Sequence, residues 1–130
     1  MSKVPADLRY TEQHEWAKLD GDIVTMGVTD FAQEQLTDIV FVDLPDPGLR
    51  VKVGDAVVVL ESVKSVSDVY TPVSGEILEI NEELVDHPEI INESPFEEGW
   101  IVKIKVAGSG ELSKMMDAAA YEKHLESEDH

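Results

Sequence analysis

The stretch GDAVVVLESVKSVSDVYTPVSGE, residues 54–76, decides the fold of this chain of 130 residues. Two valine-rich runs lie on either side of its centre, and a turn signal bounds each of them, at Gly54-Asp55 and at Gly75. Runs of β-branched residues between such signals are typical of strands. Lys64 lies near the midpoint of the two glycines. We therefore predict an antiparallel hairpin with Lys64 close to its tip.

The reversal of this hairpin falls between Glu61 and Ser67. Apolar positions thin out there, so the turn is expected to centre on Val63, Lys64 and Ser65. A lysine on a tight turn is often merely solvated. A rigid, unobstructed turn also suits a residue that a modifying enzyme must reach. The neighbours offer no nucleophile or catalytic pair, which favours an attachment point over a Schiff-base catalyst.

Other segments extend the β pattern. Residues 14–28, HEWAKLDGDIVTMGV, indicate a hairpin about the turn-forming DGD. A helical period over residues 30–36 predicts a short helix, and Asp30 followed by Gln33 resembles a capping box. Residues 100–106, WIVKIKV, alternate as a half-exposed strand does.

Residues 38–45, DIVFVDLP, carry apolar side chains on both faces. That pattern predicts a strand buried on both sides. Scattered aromatic residues at strand positions are usually core, so we assign Trp16, Phe31, Phe41 and Trp100 to packing.

The C-terminal part is expected to be helical. Apolar residues recur at helical spacing in SGELSKMMDAAAYEKHL, residues 109–125, with a break near Asp117. The helical segment is placed at about 110–126, and residues 127–130 are predicted to be a frayed tail.

Together these elements predict a mostly β fold. The expected architecture is a flattened antiparallel β-barrel or sandwich, a barrel-sandwich hybrid like that of lipoyl domains, with a short helix near 30–36 and C-terminal helical turns. The length suits a single domain over 1–130 with a core over about 8–107, and 42% apolar residues suffice for that core.

Composition excludes several classes of function. The net charge of −18 argues against nucleic-acid and anionic-membrane binding, and it favours encounters with basic protein surfaces. The absence of cysteine excludes disulfides, thiolate metal sites and a cysteine nucleophile. No apolar run reaches the length of a signal peptide or membrane span, so a cytoplasmic location is expected. A transit peptide that had been removed would leave no trace in this sequence.

The histidines do not predict a metal site. They stand at His14, His87, His124 and His130, without a His-x-x-x-His spacing or clustered carboxylates. His14 and its neighbour Glu15 are expected to be a polar pair at a strand edge.

Five segments, in order from Tyr10 to Leu125, resemble the glycine cleavage system H-protein family. They are YTEQHEWAKL, GVTDFAQEQLTDIVFVDLP, GDAVVVLESVKSVSDVYTPVSGEILEIN, INESPFEEGWIVKIK and AYEKHL. The lysine of the family's Glu-Ser-Val-Lys motif carries lipoic acid through an amide bond, and it maps to Lys64. Methionines typically flank the lysine of biotin-carrying domains, and Asp-Lys-Ala is usual in lipoyl domains of 2-oxoacid dehydrogenases; Val63 and Ser65 fit neither pattern.

The resemblance implies a carrier that is not itself an enzyme. Its lipoyl group would take the aminomethyl group of glycine from a pyridoxal-phosphate-dependent glycine decarboxylase to a tetrahydrofolate-dependent aminomethyltransferase. An FAD-containing dihydrolipoamide dehydrogenase would reoxidise it, and a lipoyl-attaching enzyme would load it.

The resemblance also implies a surface cleft that receives the loaded arm. An acid of the N-terminal motif and an acid just after the lipoyl-lysine would lie near the bound amine, and these map to Glu15 and Asp68. A carboxylate can hold an ammonium group through a charge-assisted hydrogen bond. This chain has Gln13 where some members have a small hydroxyl residue, which departs from the family pattern at one cleft contact.

Other functions stay open at this point. A carrier that donates lipoyl groups to other proteins would share every one of these motifs, and only a transfer assay separates the two. An enzyme would need a convergent nucleophile, acid and base, which the sequence does not show. A plain interaction module predicts that Lys64→Ala leaves glycine cleavage unchanged.

Overall fold

The computed structural model describes residues 4–107 and 110–128. Within them the chain forms nine strands, four α helices and one 3₁₀ helix, Leu112–Lys114. The strands are β1 (Arg9–Tyr10), β2 (Glu15–Asp20), β3 (Ile23–Val28), β4 (Ile39–Asp43), β5 (Arg50–Val51), β6 (Ala56–Ser62), β7 (Val66–Tyr70), β8 (Gly75–Ile80) and β9 (Val102–Lys105). The α helices are α1 (Asp30–Leu36), α2 (Glu83–Asp86), α3 (Ile90–Glu93) and α4 (Ala118–Glu128).

The strands form two antiparallel sheets. The larger has the order β1-β2-β3-β9-β8-β5, and the smaller has the order β4-β6-β7. Both predicted hairpins are present, β2 with β3 and β6 with β7. The prediction of a mostly β, antiparallel fold is therefore confirmed.

The core lies between the two sheets. One cluster of buried apolar side chains includes Met26 and Ile104 from the larger sheet and Val58 and Leu60 from the smaller. Each such side chain contributes about 1.5–3 kcal/mol when it leaves water. In β9 the predicted alternation holds, because Val102 and Ile104 are buried whereas Lys105 is exposed. The two sheets consequently hold β6 and β7 in a fixed position.

Helix α1 begins one residue earlier than a capping box at Asp30 would require. The Thr29 hydroxyl caps it by accepting a hydrogen bond from the Ala32 N–H (3.2 Å), which is the usual role of an N-cap oxygen. Asp30 is the first helical residue, and its carboxylate accepts from the Gln33 amide (2.7 Å). The helix itself spans the predicted residues, but the prediction of its cap was wrong.

Strand β4 is not buried on both sides. It is an edge strand of the smaller sheet, and Val40 and Phe41 are 53% and 47% exposed, while Ile39 and Val42 are buried. The assignment of Phe41 to the core was therefore wrong. Trp16 is buried as predicted, and its indole N–H donates to the Pro95 carbonyl (2.9 Å).

The C-terminal helix packs against the start of the chain. Tyr10 and Tyr121 stack with ring centroids 4.6 Å apart, and both are fully buried. The Tyr10 N–H donates to the Met116 carbonyl (2.8 Å), and the Met116 N–H donates to the Tyr10 carbonyl (2.9 Å). Asp117 accepts from the Ala120 N–H (2.8 Å), so the predicted break is the start of a helix.

Helix α4 runs to Glu128, so the frayed tail predicted from 127 was placed too early. Residues 129 and 130 lie outside the described residues. In the described part of the chain, none of the helices has the length and apolar character needed to cross a membrane.

Candidate functional site

Lys64 lies in the short connection between β6 and β7, and its side chain is exposed. The two strands pair up to the register Glu61 opposite Val66, so the chain reverses at Val63, Lys64 and Ser65. The structure thus places the lysine at the hairpin tip, as the sequence predicts.

The hydroxyl of Ser62 organises this turn. Its oxygen accepts hydrogen bonds from the Lys64 N–H (3.2 Å) and the Ser65 N–H (3.0 Å), and it donates to the Ser65 carbonyl (3.1 Å). The Ser62 N–H also donates to the Ser65 carbonyl (2.8 Å). A serine side chain that binds nearby backbone groups fixes a tight turn.

The turn is also tied to the neighbouring strand. The Val63 N–H donates to the carbonyl of Asp38 (3.1 Å), which immediately precedes β4. Each backbone N–H of the turn therefore has a protein partner, while the salt bridges found among the described residues do not involve the Lys64 ammonium. The site combines a fixed backbone with an accessible amine.

A small cavity of about 150 Å³ lies beside the hairpin, between α1 and strands of both sheets. Glu15 and Asp68 both line it, together with Gln13. Asp68 lies on β7 four positions after Lys64, so at most roughly 13 Å separates their Cα atoms along the chain. The structure therefore brings the two acids predicted from the family pattern to one cavity, whereas their role there stays a prediction.

The Glu15 carboxylate links the two sheets. It is 2% exposed; one oxygen accepts from the Thr11 hydroxyl (2.7 Å) and the other from the Tyr70 N–H (2.9 Å) on β7. Burial raises the pKa of Glu15, and these hydrogen bonds oppose the shift without cancelling it. A carboxylate offers about four lone-pair sites, so Glu15 keeps capacity for a further donor.

This raised pKa gives a pH prediction. The folded chain holds the Glu15 proton more tightly than the unfolded chain does, so protonation of Glu15 favours the folded state. This stabilisation is fully present below the ordinary pKa of 4.5 and is lost as the pH rises through the raised pKa of the folded state. Glu15→Gln should remove that dependence while keeping one acceptor for Tyr70. The free energy of unfolding of the wild type, minus that of the variant, should fall between acid and neutral pH by about 1.4 kcal/mol for each unit of pKa shift.

Urea denaturation from pH 4 to 8 measures this difference, with Glu12→Gln at an exposed neighbouring carboxylate as the control. A difference that is constant, or that grows as the pH rises, contradicts the assignment.

Asp68 differs from Glu15 because it is exposed. The strand register places it opposite Val59, which pairs with Asp43 on β4. Cross-strand partners project to the same face, so this row lies on the outer side of the smaller sheet. Of the two acids, Asp68 is the one that solvent reaches.

A hydrogen-bonded group next to this cavity was missed from the sequence. The Tyr121 hydroxyl lies 2.8 Å from His14 Nδ1 and 2.7 Å from the Thr29 hydroxyl. His14 lines the cavity, and so α4 is linked to the cavity wall through Tyr121. The sequence predicts only a polar pair at His14, since nothing local indicates a partner more than a hundred positions away.

A barrel-sandwich of antiparallel strands that presents one accessible lysine on a hairpin tip defines a class of protein, the carrier domains of the lipoyl type. Residues 8–128 match the model of the glycine cleavage H-protein family. The chain belongs to that family.

Individual relatives agree. The chain is 52% identical over 130 residues to the glycine cleavage system H protein of Marinobacter nauticus, covering 99% of this chain and 100% of that one. It is 52% identical over 129 residues to the protein of the same name from Escherichia coli O7:K1, covering 98% and 100% of the two chains. The crystal structure of a glycine cleavage system H protein from Mycobacterium marinum superposes with a TM-score of 0.87 at 35% identity, covering 95% and 99%.

Proposed function

We propose that this chain is the lipoyl-bearing carrier of the glycine cleavage system, with lipoic acid joined to Lys64 by an amide bond. In this role it moves the aminomethyl group from glycine decarboxylase to the tetrahydrofolate-dependent aminomethyltransferase. Dihydrolipoamide dehydrogenase then reoxidises it. The proposal assigns no catalytic step to the chain and retains the cytoplasmic location expected from the sequence.

The observation that carries the proposal is the state of Lys64. Its side chain is exposed on a turn whose backbone N–H groups are all bonded. Acylation therefore requires neither the opening of a buried pocket nor the loss of a backbone bond. The position suits a covalent acyl group, and the family match spans it.

A rigid turn and a flexible arm have separate tasks in this proposal. The arm supplies a disulfide that accepts the aminomethyl group and is regenerated by oxidation. Ser62 and Asp38 fix the point from which the arm extends. A tether of defined origin raises the effective concentration of its cargo at each partner.

We further propose that the cavity beside the hairpin receives the end of the loaded arm. Asp68, which is exposed, would meet the ammonium group of the cargo at the edge of the cavity through a charge-assisted hydrogen bond, and Glu15 would add a buried acceptor. Both acids line the cavity, and the cavity lies beside β7 within reach of a lipoyl arm that extends from Lys64 at the hairpin tip.

The test is the intact mass of the chain, with peptide mapping, after expression in cells that have lipoate and lipoyl-attaching enzymes. We expect the mass of one lipoyl group, located on Lys64. An unmodified Lys64 under these conditions would contradict the proposal.

Charge should speed the meeting of this carrier with its partners. The net charge is −18 and becomes −19 when acylation removes the positive charge of Lys64. We expect the association rate with glycine decarboxylase to fall on the order of tenfold or more from low to high salt, because screening removes long-range attraction to a basic rim. Stopped-flow measurements with the loaded chain check this, and a rate independent of salt contradicts it.

A further inference from the structure

Exposed apolar side chains are concentrated around the lysine turn. Val63 lies in the turn and Val66 directly follows it, and they are 69% and 64% exposed; Val40 and Phe41 lie on the adjoining edge strand. We call these four side chains the tip patch. Other large apolar side chains of similar exposure lie elsewhere in the fold: Leu19 on β2, Leu49 and Val53 on either side of β5, and Val85 on α2.

The strand register brings part of the tip patch onto one face. Phe41 on β4 pairs with Glu61 on β6, and Glu61 pairs with Val66 on β7. Cross-strand partners project to the same side, and neighbouring strands lie about 4.8 Å apart, so Phe41 and Val66 stand roughly 10 Å apart across Glu61. The register shift between Ile39 and Phe41 adds Val40 to the exposed surface.

The surroundings of the tip patch are acidic. Asp38, Asp43 and Asp68 are exposed around it, and Glu61 lies within it. In β4, β6, β7 and the turn, Lys64 is the one basic residue. A complementary surface would therefore have an apolar centre and a rim of lysine and arginine. A second copy of this chain does not fit, because two such faces would bring like charges together.

The short reach of the unmodified lysine indicates which partner contacts the tip patch. The ammonium of unmodified Lys64 is separated from the backbone by only a four-carbon stem. Hydrogen bonds to the Ser62 hydroxyl and the Asp38 carbonyl fix the backbone of the turn, so the turn does not extend towards the active site of a partner. An enzyme that acylates this amine must therefore contact Val63 and Val66. Partners of the loaded carrier meet the end of a much longer arm and can remain further away.

We propose that the tip patch is the docking surface for the enzyme that attaches the lipoyl group, which meets it with an apolar centre inside a basic rim. This inference rests on the proposed function, since it requires Lys64 to be the attachment point. It assigns recognition to the outer face of the smaller sheet, with Phe41 and Val66 as its anchors.

The experiment uses the unmodified full chain and a lipoate ligase supplied with lipoate and ATP. The lipoate carboxylate displaces pyrophosphate from ATP to give lipoyl-AMP, and the Lys64 amine then displaces AMP, which keeps one carboxylate oxygen, while the nitrogen loses a proton as the amide forms. The test variant is the double substitution Phe41→Thr with Val66→Thr. Threonine keeps a strand-compatible side chain at exposed positions but replaces apolar contact surface with a hydroxyl.

The matched controls are Val53→Thr and Val85→Thr, which remove apolar surface of similar exposure elsewhere. We expect the test variant to raise the KM for the carrier by about tenfold or more, because buried apolar anchors dominate interface energies. The kcat at saturating carrier should remain unchanged, since the loss is one of binding alone. Direct titration of the ligase with each variant should show the same loss of affinity, and the controls should stay within about twofold of the wild type.

An unchanged KM in the double variant, or an equal rise in the controls, would overturn the docking assignment while leaving Lys64 as the attachment point. A fall in kcat alone would also overturn it, because that result indicates a distorted turn. Self-association of the wild type that the double variant abolishes would assign the patch to a second copy instead. Failure of the wild type to be lipoylated at all would instead overturn the proposed function on which the inference rests.

Discussion

Lys64→Arg should abolish lipoyl loading and, with it, glycine cleavage in a system reconstituted from the purified components. Arginine keeps a long stem and the positive charge, but its guanidinium remains protonated at any physiological pH and does not act as an acyl acceptor. The position is exposed, so the free energy of unfolding should change by less than about 0.5 kcal/mol. The expected loss is therefore one of function without a loss of fold.

Mass spectrometry after incubation with a lipoate ligase, and release of CO2 from glycine in the reconstituted system, measure the two effects. Lys18→Arg, at another exposed lysine on β2, is the matched control and should load and turn over as the wild type does. Loading of the Lys64→Arg chain to the wild-type extent would show that the attachment point lies elsewhere.

Gly75→Ala should cause the largest loss of stability from a single added methyl group. A Cβ at this position would overlap the backbone carbonyl oxygen of Lys105 and would lie 2.8 Å from Ile104 Cγ2. A carbonyl in the β8–β9 ladder cannot rotate away as a side chain can, so the two strands must separate. We expect a cost of about 1–3 kcal/mol or more, since overpacking a fitted core forces backbone shifts.

Thermal and urea unfolding measure this loss, and a decrease in Tm of roughly 4–12 °C is expected for that range. Gly110→Ala is the control, because a Cβ there meets nothing within 4 Å. Equal stabilities of the two variants would contradict the close approach of Gly75 to β9.

The hairpin was predictable because its signals are local. Two strands and a reversal are specified by the turn residues at Gly54 and Gly75 and the valine runs between them. The reversal is expected at the midpoint of such a strand pair, which is where Lys64 lies. The same holds for β9, where alternation distinguishes Val102 and Ile104 from the lysines. The proposed attachment role of Lys64 came from the family pattern in the residues around it.

The error at Phe41 shows where local signals end. The segment DIVFVDLP has apolar residues on both faces, and a strand inside a sheet between two layers would bury them all. In the fold β4 is an edge strand, so only one of its faces meets the core. The exposed apolar face that remains is part of the surface proposed to dock the lipoyl-attaching enzyme.

The hydrogen-bond partners of Glu15 and Tyr121 were likewise not predictable from local sequence. The family resemblance implies that Glu15 lies near a cleft, but its partner at the Tyr70 N–H comes from the other sheet. Tyr121 meets His14 and Thr29 only because α4 returns to the first strand. Such pairings depend on distances between elements that are far apart in the chain, and no local pattern encodes them.

The sequence by itself determined the strands of the two hairpins, β4 and β9, where the chain reverses and which lysine stands at the reversal. These are consequences of backbone preference and side-chain period, which act over a few neighbouring residues. The tertiary structure alone decided which strand lies at an edge, which acid is buried and which apolar side chains stay in water around the amine. Those outcomes depend on how two sheets pack over one core, since burial belongs to the packed layers rather than to any single segment.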